Sequence, residues 1–304
     1  MDFTYKNHLS YSIGDKAYGY RTNSVEKYSV TVGSVDLDRY ANSSYVDELH
    51  RTAELVRKDL GNDLVLFLSG GTDSEIVLRN FIHNGFKPRC VALRFENNYN
   101  TGEVAEAQAI AQELGVKLDI IDFNVHDFYY SGEATEFGKQ IQCTQLTYIM
   151  VYHNILKLGA PAVMGGEALL TRQVNLNDSF WYYTFRENED ASAMRFTEKF
   201  NVPLVNEWFS YTPELLLYWL EHPKIKELVS TRYNYKLNSA SSKNAILSTL
   251  YKTRPKTKTH GFESLLAFNY TAYKDIGVDQ VKRLESSIDG IPYDLVIKQL
   301  KGQA

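Results

Sequence analysis

The sequence has few cysteines and no long apolar run, and these absences exclude several classes of protein. Its 304 residues include two cysteines, Cys90 and Cys143, which is too few for a disulfide framework or a four-cysteine zinc site. No apolar run reaches the roughly 18 residues that a membrane-spanning helix needs, and residues 1–6 lack the apolar core of a signal peptide. The sequence therefore predicts a soluble cytoplasmic protein with no membrane association.

The chain also lacks a large excess of charge of either sign. The chain has 33 Lys and Arg against 37 Asp and Glu, so its net charge of -4 does not indicate a general nucleic-acid coat, although a local basic patch stays open. Aromatic residues are abundant by contrast, with 22 Tyr and 15 Phe, which predicts rings on the surface or in a cleft. At this length the chain can bury a full core as one large domain or two small ones.

Strand and helix patterns alternate through residues 61–174. Leu64–Leu68 is a continuous apolar run, typical of a strand that is buried on both faces, and a helical pattern follows over Asp73–Asn84. The other predicted elements are strands at Val91–Phe95, Leu118–Phe123 and Ala162–Met164, a helix capped by Thr101, and one long helical stretch over Thr135–Leu158. Such alternation predicts a parallel, doubly wound, Rossmann-like α/β sheet with helices on both faces.

The flanking regions follow other patterns. Residues 1–60 mix β-forming residues with glycine and turn helical from Ser44 to Leu60, which predicts a short β-rich segment and a helix. Residues 175–304 are expected to form a mostly helical extension that completes the substrate site. Within it, Phe180–Phe185 indicates a strand or an aromatic wall, and Thr212 is expected to cap a helix.

The clearest chemical signal is a glycine-rich loop between the first strand and helix of the alternating region. It consists of Ser69, Gly70, Gly71, Thr72, Asp73 and Ser74. Ligands of open parallel sheets collect at such a carboxyl end. The glycines let backbone N–H groups approach an anion, the helix N-terminus adds donors and a positive dipole end, and three hydroxyl groups add further donors. The loop predicts a phosphate site; the alternative is a plain turn.

Asp73 distinguishes this loop from other phosphate sites. A bare carboxylate repels phosphate, so its presence predicts a Mg²⁺ ion between the carboxylate and the phosphate. No Gly-x-x-x-x-Gly-Lys-Ser/Thr motif occurs, so the loop is not the type that cuts a nucleotide at its γ-phosphate.

With these residues the sequence resembles the PP-loop ATP pyrophosphatase superfamily, whose hallmark is Ser-Gly-Gly-x-Asp-Ser after the first strand, and within it the C-terminal domains of asparagine synthetases. The resemblance is sharp over Leu64–Gly85 and extends through Glu167. It implies that ATP activates a carbonyl or carboxylate of a small-molecule substrate as an adenylate, with release of pyrophosphate. A nucleophile, often ammonia, then displaces AMP. The resemblance also places the adenine along the end of the second strand, at Leu93 and Phe95.

The segment Gly165-Gly166-Glu167 closes the fourth strand and resembles the Ser-Gly-Glu segment of asparagine synthetases, in which the acid faces the substrate. An ordinary turn with an exposed Glu is the alternative. Leu169-Leu170 stands where those enzymes have an acidic pair, which weakens the case for aspartate as the substrate.

The densest basic stretch of the chain is residues 252–263, which resembles a basic segment near the end of asparagine-synthetase-like domains. Arg254, Lys256 and Lys258 are the expected contacts to polyphosphate, because cationic side chains on a loop suit that ligand. The alternative is a solvated charged loop.

The acceptor substrate, the source of the nucleophile and the oligomeric state stay open at this point. Asp2 rather than Cys follows Met1, and residues 1–60 are too short for a glutaminase domain, so ammonia would come from solution or a separate supplying subunit. Two other functions stay open. One is a catalytically inactive ATP- or AMP-binding regulatory module, and the other is a tRNA- or nucleobase-modifying enzyme, against which the scarcity of cysteine counts.

Overall fold

The computed structural model describes residues 8–22, 26–166, 169–174, 179–187, 189–230, 246–253 and 290–303. The first described unit is a small antiparallel sheet of order β2–β1–β3. Its strands are β1 (Leu9–Ile13), β2 (Lys16–Ala17) and β3 (Tyr28–Val32). Alternate residues of β1 are buried, so this strand presents one face to the core. The predicted β-rich N-terminal segment is confirmed.

The next described elements are α1 (Leu37–Asn42) and α2 (Tyr45–Leu60). The Ser44 side chain accepts the Asp47 N–H, and the Asp47 carboxylate accepts the Ser44 N–H in return. This reciprocal cap satisfies donors that a helix start leaves open, and it fixes where α2 begins. The helix predicted from Ser44 to Leu60 is confirmed.

A five-stranded parallel sheet forms the centre of the protein, in the order β10–β7–β4–β5–β6. Its strands are β4 (Val65–Phe67), β5 (Arg89–Phe95), β6 (Leu118–Phe123), β7 (Ala162–Val163) and β10 (Leu204–Val205). The predicted doubly wound α/β fold is confirmed. Because β4 is the middle strand, the loop that follows it emerges at the centre of the carboxyl edge.

Helices cover both faces of this sheet. The helices that follow β4 in the described ranges are α3 (Thr72–His83), α4 (Thr101–Leu114), α5 (Val125–Tyr130), α6 (Glu133–Ile141), α7 (Leu146–Leu158), α8 (Asp190–Phe200), α9 (Pro213–Glu221), α10 (Pro223–Ser230) and α11 (Tyr293–Leu300), of which α11 packs on α9 and on the antiparallel strands. Leu66 of β4 belongs to one buried apolar cluster, whereas Val65 and Phe67 belong to another. Side chains that alternate between two cores explain why this strand is apolar throughout.

Two helix predictions need correction. The stretch expected as one helix over Thr135–Leu158 is divided into α6 and α7, because Gln142 adopts a left-handed conformation with φ 48° and ends α6. Cys143 therefore lies between two helices rather than within one. The second error concerns α4, which begins at Thr101 itself, so Asn100 and not Thr101 is its N-cap residue.

The region after residue 175 contributes strands as well as helices. Strand β9 (Ser179–Thr184) pairs with β8 (Leu169–Val174) and with β11 (Gly290–Pro292) in an antiparallel sheet, which confirms a strand at the aromatic segment. Strand β10 joins the central sheet, a role that its two residues could not signal. Thr212 caps α9 as predicted. No helix within the described ranges is long and apolar enough to cross a bilayer.

Candidate nucleotide site

The loop after β4 ends in a helix start that no side chain of the described residues caps. Gly71 is the N-cap residue of α3, with φ -76° and ψ 162°, and the first bond of the helix runs from the Glu75 N–H to the Gly71 carbonyl at 3.2 Å. N–H groups in the first turn of a helix point away from its body, where a side chain, water or a ligand can accept them. A glycine cap leaves this role to a ligand, and an anion suits it best.

Hydroxyl groups hold the loop in a closed shape. The Oγ atoms of Ser69 and Ser74 lie 3.2 Å apart, and Ser74 Oγ also donates to the Gly71 carbonyl at 3.1 Å. The Gly71 N–H donates to Ser69 Oγ at 3.3 Å. Ser69 is exposed whereas Ser74 is buried. The loop is therefore preorganised, with one serine accessible to a ligand and the other beneath it.

Gly70 lies directly against helix α4. Its φ is 75°, and a β-carbon at this position would lie 2.6 Å from the Glu103 carbonyl oxygen and 3.1 Å from the Ala107 nitrogen. Both contacts are to backbone, which cannot rotate away. Glycine is therefore required here for its conformation and for the close approach of α4.

We expect Gly70→Ala to destabilise the protein more than Gly85→Ala, its matched control. Gly85 has a similar φ of 68° but has open space around it, so both variants share the strain of a left-handed alanine. Only Gly70→Ala adds the clash, which is expected to cost about 1–3 kcal/mol more in free energy of unfolding. Chemical denaturation measures this difference, and equal losses in the two variants would contradict the described contact.

The loop after β7 meets the loop after β4. A β-carbon on Gly165 would lie 2.9 Å from the Ser74 nitrogen and 3.1 Å from Asp73 Cβ, so these two loops touch. Gly166 is in turn tightly packed against the Asn206 carbonyl oxygen at the end of β10. Three strand ends therefore converge at this edge, although they are far apart in sequence.

Asn206 and Glu207, at the end of β10, are polar residues near this edge that sequence patterns did not single out. Both are buried, and Asn206 Oδ1 has no hydrogen-bond partner among the described residues. The Glu207 carboxylate accepts the Asn206 N–H at 3.1 Å, and burial raises the pKa of Glu207 to about 8. The sequence feature that could have marked these two residues is the apolar pair Leu204-Val205, which follows Pro203 and directly precedes them.

Asp73 is half-buried in the first turn of α3. Burial raises the pKa of the neighbouring Tyr45, and the Tyr251 hydroxyl and the Asp73 carboxylate reinforce this shift. No group of three or more His, Cys, Asp or Glu side chains that could hold a metal occurs among the described residues. Mg²⁺ nevertheless suits the place, because it commonly takes one or two carboxylates together with substrate phosphates and water. Asp73, a member of loop 69–74, would supply the protein part of such a set.

Leu93 and Phe95, the expected adenine contacts, have buried side chains at the end of β5. The Phe95 N–H donates to Asn100 Oδ1 at 2.9 Å, and Asn100 Nδ2 donates to the Leu93 carbonyl at 2.8 Å. The Asn100 carboxamide thus engages main-chain groups of both residues.

Four of the predicted site residues lie outside the described ranges: Glu167, Arg254, Lys256 and Lys258. Immediately before the basic stretch, the Tyr251 hydroxyl donates to Asn80 Oδ1 at 2.9 Å. Asn80 belongs to α3, the helix that begins at the phosphate loop.

Comparisons with known proteins add two distant structural likenesses. A predicted subunit of tRNA methyltransferase from Methanocaldococcus jannaschii is 14% identical, with a TM-score of 0.32, 64% of this chain covered and 93% of that chain. NMN synthetase from Francisella tularensis is 11% identical, with a TM-score of 0.31, 78% of this chain covered and 94% of that chain. No protein-family model and no curated protein matches the sequence. At such distances these likenesses carry no functional argument, so the fold class rests on the strand order of the chain itself.

Proposed function

We propose that the protein binds ATP with Mg²⁺ and cuts it between the α- and β-phosphates. In the first step an oxygen of a substrate carbonyl or carboxylate bonds to the α-phosphorus, and pyrophosphate leaves with the electron pair of the broken P–O bond. In the second step a nitrogen nucleophile bonds to the activated carbon, and AMP leaves. The observation that carries this proposal is the glycine-capped loop 69–74 with its carboxylate at Asp73.

The loop suits a polyphosphate because its donors are already arranged. The start of α3 and the exposed residue Ser69 belong to one short loop directly after β4, and hydrogen bonds of the Ser69 and Ser74 hydroxyls hold this loop in shape. Donors that are fixed before the ligand arrives stabilise developing negative charge without reorganisation. Binding of pyrophosphate as the leaving group is therefore the task that this geometry supports.

The carboxylate of Asp73 favours cleavage between the α- and β-phosphates over cleavage at the γ-phosphate. Loops that cut at that position use a lysine at the helix start to contact the β- and γ-phosphates. Here the first turn carries a carboxylate, which contacts phosphate through a metal ion. Bound Mg²⁺ would polarise the phosphate oxygens, while the loop orients the chain of phosphates.

We propose that the acceptor substrate binds on the β7 and β10 side of the loop. Gly165 packs against Asp73 and Ser74, Gly166 packs against the Asn206 carbonyl, and the buried polar groups of Asn206 and Glu207 follow at the end of β10. A carboxamide and a carboxyl group at this edge favour a small polar acceptor over a large apolar one. If ammonia is the nucleophile, a separate subunit or the solvent supplies it.

The identity of the products tests this function directly. With ATP, Mg²⁺ and a panel of carboxylate and carbonyl substrates, we expect AMP and pyrophosphate, and never ADP and phosphate. Exchange of labelled pyrophosphate into ATP should require the correct acceptor, because reversal needs the adenylate. Accumulation of ADP would reject the proposal. Tight ATP binding without turnover on any acceptor would favour the regulatory module instead.

A further inference from the structure

Three aromatic rings lie at the surface where β5 and β6 end. Tyr99 follows β5, whereas His126 and Tyr130 lie on α5, directly after β6. The ring centroids of Tyr99 and His126 are 5.6 Å apart, and those of His126 and Tyr130 are 6.1 Å apart. Tyr130 is 61% exposed, more than any other large apolar side chain in the described part of the chain. We call these three residues the aromatic ledge.

The aromatic ledge is fixed by hydrogen bonds beneath it. The Glu96 carboxylate accepts the N–H groups of Val125 and His126 at 2.7 and 2.9 Å, which ties the start of α5 to the end of β5. The Asn124 side chain caps the same helix by accepting the Asp127 N–H at 3.0 Å. The backbone that carries His126 is therefore held in place before a ligand arrives, which lowers the entropic cost of binding a flat ring.

The end of β5 itself offers little to a nucleotide base. The side chains of Leu93 and Phe95 are buried, and their main-chain carbonyl and N–H groups bond to the Asn100 carboxamide. A base could pair with these groups only by displacing a buried side chain. The two hydrogen bonds of the Asn100 carboxamide would be lost in return for two bonds to the base, so the exchange brings no net gain in hydrogen bonding.

The position of the aromatic ledge fits a nucleotide whose phosphates occupy loop 69–74. Strands β4, β5 and β6 are neighbours, and adjacent strands lie about 4.8 Å apart, so the strand ends from which the ledge continues are about 5–10 Å to one side of the end of β4. On the other side, Gly165 packs closely against Asp73 and Ser74. An extended nucleotide anchored by its phosphates can therefore run past the ends of β5 and β6 toward the ledge.

From this arrangement we infer that the base of the nucleotide stacks on the aromatic ledge instead of pairing with the main chain of β5. The inference rests on the proposed function, since it assumes that loop 69–74 holds the phosphates. Tyrosine and histidine rings stack on the π-face of a base without reading its edge. The ledge would then supply affinity for the nucleoside part of ATP, while the loop supplies affinity for the phosphates.

The test compares ATP with inorganic tripolyphosphate, which lacks the base, by calorimetry in the presence of Mg²⁺. Tyr130→Ala and Tyr99→Ala should weaken ATP binding roughly 5- to 100-fold, the range seen when one stacking ring is removed, and should leave tripolyphosphate binding unchanged. Tyr130→Phe keeps the ring and should keep the affinity for ATP. Leu295→Ala removes an exposed apolar side chain from α11, which is 40% exposed at this residue, and serves as the matched control.

Each other outcome overturns the inference. If the wild-type protein binds both ligands and both alanine variants keep the wild-type affinity for ATP, the base does not stack on the ledge. The proposed function would be unaffected by that result. Equal weakening of ATP and tripolyphosphate would show that the variants disturb the loop rather than a base site. A wild-type protein that binds neither ligand would overturn the proposed function together with the ledge.

Discussion

Asp73→Ala is expected to abolish pyrophosphate release while the protein stays folded. The carboxylate lies in the first turn of α3, beside donors that suit phosphate, and the proposed function assigns it the task of holding Mg²⁺. A metal ion that neutralises phosphate charge contributes several kcal/mol to transition-state stabilisation, and each 1.36 kcal/mol is tenfold in rate. We therefore expect turnover to fall about 1,000-fold or more.

The effect of the same substitution on folding should be small by comparison. An acid in the first turn of a helix stabilises it by about 0.3–1 kcal/mol through the helix dipole, and that is the contribution expected to be lost. Asp294, in the first turn of α11, offers the matched control, because Asp294→Ala removes an equivalent charge from another helix start. Asp294→Ala should turn over normally.

Three measurements decide the role of Asp73: the rate of pyrophosphate release, its dependence on Mg²⁺ concentration, and the denaturation midpoint. Asp73→Asn keeps the shape of the side chain and removes its charge, so it should behave as Asp73→Ala does in turnover. Removal of Mg²⁺ with a chelator should reproduce the loss in the wild-type protein. Wild-type rates in Asp73→Ala would exclude a metal at this residue.

Replacing Arg254, Lys256 or Lys258 by Ala is expected to lower turnover about a hundredfold, equivalent to about 2–4 kcal/mol of transition-state stabilisation. These residues lie outside the described ranges, and this prediction comes from their charge and spacing in the sequence. The chain between Tyr251 and Arg254 is long enough to reach loop 69–74. Tyr251 is bonded to Asn80, which lies seven residues along α3 from Asp73, or about 10 Å at 1.5 Å per residue. Three extended residues span about the same distance.

The kinetic pattern separates a catalytic contact from a solvated loop. A cation that neutralises the negative charge developing on the leaving pyrophosphate should affect kcat more than the KM for ATP, because its contact strengthens as the bond between the α- and β-phosphates breaks. Lys224→Ala, at an exposed position of α10, is the control and should change the activation free energy by less than about 0.5 kcal/mol. If all three basic variants behave like this control, residues 252–260 do not contact ATP.

Much of the fold was readable from the sequence because its determinants are local. The apolar run of β4, the glycines of loop 69–74 and the caps at Ser44 and Thr212 act within a few residues of one another. Burial on both faces makes a strand uniformly apolar, and open N–H groups at a helix start favour particular caps. The strand, loop and helix that form the candidate phosphate site therefore follow from sequence patterns alone.

Contacts between distant residues decided the rest. The sequence could not show that Gly165 would meet Asp73, or that a two-residue strand, Leu204–Val205, would bring Asn206 to the same edge. Such pairings depend on which strands become neighbours, and no short-range propensity encodes that choice. The hydrogen bonds of Asn100 to the end of β5 also depend on tertiary packing, as does the aromatic ledge, which is assembled from the ends of two strands. Local chemistry thus specified the candidate phosphate loop, whereas tertiary packing determined which surfaces surround it.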